Sequence, residues 1–222
     1  MSVLYLVATP IGNMEDITLR ALRILRAVDV IACEDTRRAR KLFQRYDIRT
    51  GFTSFYARNE KEKTPYLIRL LKTGKDIALI SDSGTPVLSD PGRFLVQEAL
   101  RQGIQVSSIP GPCALASALA VSGMPCGTFT FLGFLPRKEG KKRKVLQTYL
   151  SSGQTVVIYE SPHRVLSTLQ LLNKEFSPLE VVVVREMTKK FEQILRGTPE
   201  EIINRINPFP KGEIVLVARL MS

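Results

Sequence analysis

The chain has 222 residues, 44% of them hydrophobic, and its 32 Lys and Arg exceed its 21 Asp and Glu, which gives a net charge of +11 at pH 7. This length suits one large domain or two small ones of roughly 100 residues each, so a disordered chain and a miniature disulfide-stabilised fold are excluded. The cysteines Cys33, Cys113 and Cys126 form no Cys-x-x-Cys pair and His163 is the single histidine, so we expect neither a disulfide framework nor a metal site.

The first half of the chain alternates between apolar strand-like runs and amphipathic helical stretches. Strands are predicted at residues 4–8, 28–33, 77–81 and 105–109, and helices at 18–27, 58–72, 92–102 and 113–121. Such alternation indicates right-handed βαβ units and a mainly parallel sheet. The chain enters its first strand with no basic region before it, and no apolar run reaches the ~20 residues of a membrane helix, so we expect a cytoplasmic protein with no membrane partner.

The pattern changes after the break at residues 122–125, where we predict the boundary between an N-terminal domain, 1–121, and a C-terminal domain, 122–222. Strands are predicted at 128–132, 155–159, 180–185, 192–196 and 213–219, and helices at 141–150, 162–174 and 199–206. Only one short helix separates the last two strands, so some pairing should be antiparallel and the second sheet mixed. The predicted fold is therefore α/β, with two α/β domains and a cofactor cleft between them.

Polar, Gly- and Pro-rich sequences follow three strands of the first half. They are Ala8-Thr9-Pro10-Ile11-Gly12-Asn13, Cys33-Glu34-Asp35-Thr36-Arg37 and Ser81-Asp82-Ser83-Gly84-Thr85-Pro86. Each alone is compatible with an ordinary turn or helix cap, but open α/β folds bind ligands where several such strand ends meet. The Gly-x-Gly-x-x-Gly and Gly-Lys-Ser/Thr signatures are missing, so a nucleoside with a short polar tail fits better than a phosphate-held ligand.

Two strand ends of the second half carry charged residues. Tyr159-Glu160-Ser161-Pro162-His163-Arg164 passes into a helix that Ser161 is predicted to cap, with Pro162 at its first position, and Arg185-Glu186-Met187-Thr188-Lys189 follows a later strand. Capping leaves Glu160, His163 and Arg164 unexplained. A lone histidine is more often structural than catalytic, so His163 is not our first choice for chemistry.

The positive charge points to a polyanionic partner, and RNA is the first candidate. The basic residues form two clusters: one comprises Arg37, Arg38, Arg40 and Lys41, and the other Arg137, Lys138, Lys141, Lys142, Arg143 and Lys144. Either cluster alone is equally compatible with a solvated helix face. Together with the net charge, they favour contact with RNA.

Seven motifs in order resemble those of the ribosomal RNA small-subunit methyltransferase I family, a branch of the tetrapyrrole methylases, from residue 4 to about residue 217. Besides the three strand-end motifs of the first half and the two of the second, they include Pro110-Gly111-Pro112 and Gly133-Phe134-Leu135-Pro136. The departures are conservative: Ser83, Cys113 and Met187 stand where the family pattern has Ala, Ser and Leu. Many relatives continue into a further C-terminal domain, and for this chain we expect the 137–144 cluster to supply any RNA contact that such a domain provides.

The resemblance implies transfer of a methyl group from S-adenosylmethionine to the 2′-hydroxyl of a cytidine in small-subunit ribosomal RNA near the decoding centre, by a homodimer that acts on the RNA or the small ribosomal subunit. The implied cofactor-binding residues are Thr9, Pro10, Asp82, Ser83, Gly84, Thr85, Val87, Leu88, Pro110, Phe131 and Tyr159. The candidate proton acceptors are Glu34, Asp35, Glu160 and Glu186. The expected RNA-binding residues are Arg37, Arg38, Lys138, Lys141, Lys142, Arg143, Arg164 and Lys189.

Two alternatives stay open from the sequence. One keeps the fold and cofactor but changes the acceptor to a tetrapyrrole or a protein side chain; the basic composition argues against it, although a tetrapyrrole also carries carboxylates. The other is a non-catalytic RNA-binding protein, which would have no use for the loop at 81–88. Binding of S-adenosylmethionine distinguishes the second alternative from both enzymes.

Overall fold

The computed structural model describes residues 2–221, and the chain divides between Cys113 and Ala114 into two compact units. Each unit is built on its own five-stranded sheet. Within residues 2–221 no helix combines the length and the apolar content that crossing a membrane requires.

The sheet of the first unit is entirely parallel and has the strand order β3-β2-β4-β1-β5. Its strands are β1 (Val3–Val7), β2 (Val30–Cys33), β3 (Phe52–Ser54), β4 (Ile77–Ile80) and β5 (Gln105–Ile109). Its helices are α1 (Leu19–Ala27), α2 (Thr36–Arg45), α3 (Glu60–Lys72) and α4 (Arg93–Arg101), and a short 3₁₀ helix spans Met14–Asp16. Because every neighbouring pair is parallel, all the carboxyl ends of the strands lie at one edge.

Helices cover both faces of this sheet. α1 and α2 pack on one face through Leu25, Leu42 and Phe43, whereas α3 and α4 pack on the other through Leu67 and Leu95. The central strand β4 is buried along its whole length, as expected for a parallel strand with helices on both sides.

The sheet of the second unit is mixed and has the order β6-β7-β10-β8-β9; β6 and β7 are parallel and the other pairs are antiparallel. Its strands are β6 (Phe129–Phe134), β7 (Thr155–Glu160), β8 (Leu179–Arg185), β9 (Gln193–Gly197) and β10 (Ile214–Leu220). Its helices are α5 (Ala114–Ser122), α6 (Glu139–Leu150), α7 (Val165–Glu175) and α8 (Pro199–Arg205). α6, α7 and α8 share one core, and α5 packs on the opposite face.

The prediction of an α/β fold with a parallel sheet followed by a mixed sheet is confirmed. The units divide before α5 rather than after it, because Ala118 and Leu119 of that helix pack against Val157 and Val217 of the second sheet. The edge strand β3 was not predicted, since three residues are too few to give a pattern. The helix α7 begins at Val165 instead of residue 162, and the Ser161 hydroxyl accepts from the His163 amide within a turn instead of capping that helix.

Candidate active site

The loops that follow β1 and β4 are joined at the carboxyl edge of the first sheet. The Thr9 amide donates to the Gly84 carbonyl over 2.9 Å, and the Gly84 amide donates to the Thr9 carbonyl over 3.0 Å. The buried hydroxyl of Thr9 also donates to the Ser81 carbonyl over 3.2 Å. Two of the predicted cofactor segments, around residues 9 and 84, are therefore held together by backbone pairing.

The loop after β4 is tightly packed and has an unusual backbone. Val87 has φ of +76°, a region that a β-branched residue rarely occupies. A Cβ on Gly92, where φ is +132°, would lie 2.5 Å from Leu79 Cδ2 and 2.9 Å from Val87 Cγ2. The Thr85 hydroxyl fixes the middle of the loop by donating to the Pro112 carbonyl over 3.2 Å. Backbone strain held by packing is typical of ligand-binding loops.

Four carboxylates lie at the same edge: Glu34, Asp35, Asp82 and Asp90. Asp82 contacts the backbone of Asp35, and its charge affects the pKa of both Glu34 and Asp90. Its Oδ1 accepts from the Asp35 amide over 2.8 Å, and its Oδ2 lies 3.6 Å from the Arg38 guanidinium. Burial raises the pKa of the Glu34 carboxyl, and the negative charges of Asp82 and Asp90 raise it further. Burial likewise raises the pKa of Asp90, and Asp82 adds to the effect although a hydrogen bond from Ser81 opposes it. The concentration of negative charge at this edge therefore favours protonation of the carboxyl groups or binding of a cation.

The pKa of Asp35 is shifted in the opposite direction from that of Glu34, its neighbour in the chain. It caps α2 by accepting from the Arg37 amide over 2.8 Å, and its other oxygen pairs with the Arg37 guanidinium at 2.7 Å. Hydrogen bonds from the Arg37 side chain and backbone hold the pKa of Asp35 well below its usual range. A carboxylate stabilised in this way is a poor proton acceptor.

In the second unit, three aromatic side chains of β6 and β7 form a cluster. The ring of Tyr159 packs edge-on against Phe131 at 4.8 Å between centroids and against Phe134 at 5.8 Å. Phe134 is 59% exposed. The two predicted cofactor contacts of this unit, Phe131 and Tyr159, thus lie together.

Glu160 belongs to a buried hydrogen-bonded network. Its Oε2 accepts from the Thr168 hydroxyl over 2.7 Å, and its Oε1 accepts from the Ser161 amide and lies 3.3 Å from Arg164 Nε. Lys142, which is 5% exposed, donates to the Thr168 hydroxyl over 2.9 Å. The guanidinium of Arg164 also donates to the Leu135 carbonyl over 2.8 Å. These contacts suit a structural role better than proton transfer or phosphate contact, and buried Lys142 has no access to a phosphate.

Glu186 is similarly engaged. Its Oε1 accepts from Lys189 Nζ over 2.8 Å and from the Glu213 amide over 3.0 Å, and Lys189 also pairs with Glu213 at 3.1 Å. Burial alone would raise the pKa of Glu186, but the hydrogen bonds from Lys189 and Glu213 lower it below its ordinary value. Opposite effects act on Lys189: burial would lower its pKa, and the two carboxylates raise it.

The remaining predicted RNA-binding residues are more accessible. The Arg37 side chain is 89% exposed, and the Arg38 side chain is 61% exposed. Lys138 and Lys141 are exposed at the start of α6. Arg143 is half-buried, and it pairs with Glu175 at 3.2 Å and Glu139 at 3.4 Å.

Comparison with known proteins identifies the class first. The family model of the Tetrapyrrole (Corrin/Porphyrin) Methylases matches residues 3–203. A solved structure of diphthine synthase has a TM-score of 0.81 at 16% identity, covering 100% of this chain and 91% of that one. A uroporphyrin-III C-methyltransferase from Thermus thermophilus complexed with S-adenyl homocysteine has a TM-score of 0.67 at 19% identity, covering 98% and 97%. At these identities the two structures bear on the fold alone.

Curated relatives narrow the assignment. The ribosomal RNA small subunit methyltransferase I of Thermotoga maritima is 46% identical over 218 residues, covering 98% of each chain. The Bacillus subtilis protein of the same name is 42% identical and is covered over 75% of its length. The chain therefore belongs to the tetrapyrrole methylases and, among them, to the ribosomal RNA small subunit methyltransferase I family. It is an enzyme that takes its methyl group from S-adenosylmethionine.

The first unit fits this cofactor chemically. S-adenosylmethionine carries a sulfonium and an ammonium group, and the partly buried carboxylates Asp82 and Asp90 provide the opposite charge. In addition, Asp16 Oδ2, in the segment after β1, is buried without a hydrogen-bond partner in the described structure. A buried orphan oxygen of this kind is typical of a site that a polar ligand or a water completes.

Sequence reasoning left Asp90 and Thr168 out of the candidate residues. Asp90 lies four residues beyond the motif at 81–86, and its effect on the pKa of Glu34 depends on the folding of the loop. No sequence pattern marked Thr168, because a threonine inside a helix is common. Only the structure shows that its hydroxyl hydrogen-bonds with both Glu160 and Lys142.

The close packing of Gly92 predicts a large effect of Gly92→Ala. The new Cβ meets Leu79 and Val87, so we expect a loss of roughly 2 to 3 kcal/mol in the free energy of unfolding, measured with urea. Gly103→Ala is the control: φ is also positive, at +69°, but the space around it is open, so about 1 kcal/mol should be lost. Equal losses would contradict the packing argument.

The raised pKa of Glu34 predicts a stability effect that depends on pH. In the unfolded chain the carboxyl ionises near pH 4.3, below its folded pKa, so its ionisation costs stability as pH rises through this window. Glu34→Gln should therefore be more stable than the wild type at pH 7, and the difference should shrink below about pH 4.

The control for this prediction is Glu98→Gln. Hydrogen bonds from Gln102 and Arg101 lower the pKa of Glu98, so this substitution should give no gain at pH 7. Urea titrations of the three proteins at several pH values provide the measurement. A neutral or destabilising Glu34→Gln at pH 7 would show that the carboxylate repulsion is already neutralised.

Proposed function

We propose that the enzyme methylates the ribose 2′-hydroxyl of a cytidine in small-subunit ribosomal RNA near the decoding centre. The observation that carries this proposal is the 46% identity, over 98% of both chains, to a ribosomal RNA small subunit methyltransferase I. The net charge of +11 supports a polyanionic acceptor. S-adenosylmethionine supplies an already activated methyl group, so the main tasks of the protein are to orient the acceptor and to remove its proton.

Glu34 is our candidate for the group that accepts the hydroxyl proton. Its raised pKa brings it closer to the range in which a carboxylate is an effective base at neutral pH. Asp35 is a weaker candidate because Arg37 lowers its pKa, and Glu186 because Lys189 does the same. Both oxygens of Glu160 already accept hydrogen bonds.

The cofactor is assigned to the loops of the first unit. Backbone atoms of Thr9, Pro10, Pro110 and the segment 82–88 would bind the methionine part and the ribose, and the carboxylates would bind the cationic groups. This assignment is supported by the backbone pairing of Thr9 with Gly84 and by the strained conformation of Val87. The contact of Phe131 and Tyr159 with the cofactor stays a prediction.

Among the expected RNA contacts, Arg37, Arg38, Lys138 and Lys141 are supported by their exposure. Arg143, Arg164 and Lys189 are weaker candidates because their side chains are less exposed and are also paired with carboxylates. We also propose that the enzyme acts as a cytoplasmic homodimer on the RNA or the assembled small subunit.

The acceptor can be identified with labelled S-adenosylmethionine and small ribosomal subunits that lack this methyl group. A 2′-O-methyl group blocks alkaline cleavage at its own phosphodiester, so we expect label in an alkali-resistant dinucleotide that begins with cytidine. Label in mononucleotides would indicate methylation of a base. A protein that binds S-adenosylmethionine but leaves the RNA unlabelled would point to a tetrapyrrole or protein acceptor, and absence of cofactor binding would point to a non-catalytic RNA-binding protein.

The role of Glu34 predicts that Glu34→Gln lowers kcat by 10²- to 10⁴-fold, the usual contribution of a general base. The variant should still bind RNA, and the more stable fold expected above separates loss of chemistry from loss of structure. Glu34→Asp should recover part of the rate. Single-turnover assays provide the measurement, and a Glu34→Gln enzyme with wild-type kcat would assign the proton to another acceptor.

A further inference from the structure

The helices α1 and α2 carry an unusual concentration of positive charge. α1 contains Arg20, Arg23 and Arg26, and α2 contains Arg37, Arg38, Arg40, Lys41 and Arg45. All eight are exposed, and neither helix contains an Asp or a Glu. Because no carboxylate within these helices offsets the charge, the two helices repel each other electrostatically.

These eight residues belong to one surface. α1 and α2 cover the same face of the first sheet and share one core, which includes Ala21, Leu25 and Leu42. The Arg26 guanidinium at the end of α1 donates to the carbonyl of Tyr46, which ends α2, over 2.6 Å. The basic residues of both helices are therefore exposed on the same side of the sheet, although their sequences are separated by β2.

The direction of the helices connects this surface to the candidate active site. Each helix follows a parallel strand, so its amino-terminal end lies at the carboxyl edge, where Glu34 and Asp82 are located. Arg20, Arg37 and Arg38 lie in the first turns, and Arg26 and Arg45 lie in the last. The surface thus begins at the catalytic edge and extends along the helices for roughly 13 to 15 Å.

Several of the eight cations remain available for a ligand. Arg37 pairs with Asp35 and Arg38 lies near Asp82, whereas Arg26 contacts a backbone carbonyl and Arg45 lies over the Tyr46 ring. In the structure of residues 2–221, no carboxylate pairs with Arg20, Arg23, Arg40 or Lys41. An ordinary solvated helix surface alternates basic with acidic residues, and this one does not.

We propose that the α1–α2 surface binds the phosphate backbone of the acceptor RNA and orients the strand toward Glu34. The inference rests on the proposed function and extends it to α1, whose arginines the sequence motifs did not single out. A second copy of this chain is a poor occupant, because a symmetric interface would bring two surfaces of the same sign together. Phosphate contacts of this kind position the RNA and leave the choice of nucleotide to other groups.

The test compares three double substitutions that each remove two positive charges. Arg20→Gln with Arg23→Gln alters α1, Arg40→Gln with Lys41→Gln alters α2, and Arg69→Gln with Lys72→Gln in α3, on the opposite face of the same sheet, is the control. All six residues are exposed, and glutamine keeps a good helix propensity. Thermal unfolding and binding of S-adenosylmethionine should be unchanged in all three.

Binding of a small-subunit ribosomal RNA fragment is then measured against salt concentration by fluorescence anisotropy. For the α1 and α2 variants we expect the slope of log K against log salt to become smaller by about 1.4 to 1.8, the value for two lost phosphate contacts. The control variant should keep the wild-type slope. A loss in the control as large as in the α1 and α2 variants would overturn the proposal, because the effect would then come from net charge alone.

Three further outcomes are decisive. If the wild type neither binds nor methylates the RNA, the proposed function is wrong. If the wild type binds and methylates the RNA and the α1 variant keeps the wild-type slope, only the proposed role of this surface is wrong. Sedimentation of each variant gives the oligomeric state. Dissociation or association caused by the α1 substitutions would assign the surface to subunit contact.

Discussion

Asp82 connects most of the charged groups at the carboxyl edge of the first sheet. Its carboxylate accepts from the Asp35 amide and lies near Arg38, and its charge contributes to the raised pKa values of Glu34 and Asp90. Burial, Asp82 and Asp35 together raise the pKa of the Cys33 thiol to about 12, so this cysteine stays protonated and unreactive at neutral pH. The negative charges at this edge therefore act on one another and on any charged ligand that binds there.

Neighbouring carboxylates repel one another and lower the stability of the fold in the absence of a cation. The same repulsion favours the binding of a positively charged ligand. A buried carboxylate group that cannot spread its charge into water binds a positively charged ligand more strongly than a solvated one would. The same burial raises the pKa of Glu34, in the direction that makes it a better proton acceptor. The strained backbone at Val87 and the crowded position of Gly92 fit the same interpretation, because rigid packing keeps the loop in place before the ligand arrives.

Much of this site was predictable from the sequence, since parallel strands carry their loops to a common edge and the loops following β1, β2 and β4 were recognised by their composition. Individual side chains were less predictable. Lys142 looked like any other residue of a basic run, and only the fold buries it against Thr168 and near Glu160. Arg164 and Lys189 likewise follow motif strands, but Arg164 pairs with Glu160 of its own motif, and Lys189 pairs with Glu186 and with the distant Glu213. Runs of like charge indicate a partner without saying which of their members face it.

The first unit separates its charges by position, with carboxylates at the edge of the sheet and unpaired arginines along α1 and α2. This separation suits a reaction between a cationic donor and a polyanionic acceptor, because a single mixed surface would attract both to the same place. If the helices bind RNA as proposed, the carboxylates repel its backbone from the loops assigned to the donor, and only a nucleotide held in position would reach Glu34. Arg37 and Arg38 mark the boundary, since each contacts both the acidic edge, through Asp35 or Asp82, and the basic helix to which it belongs.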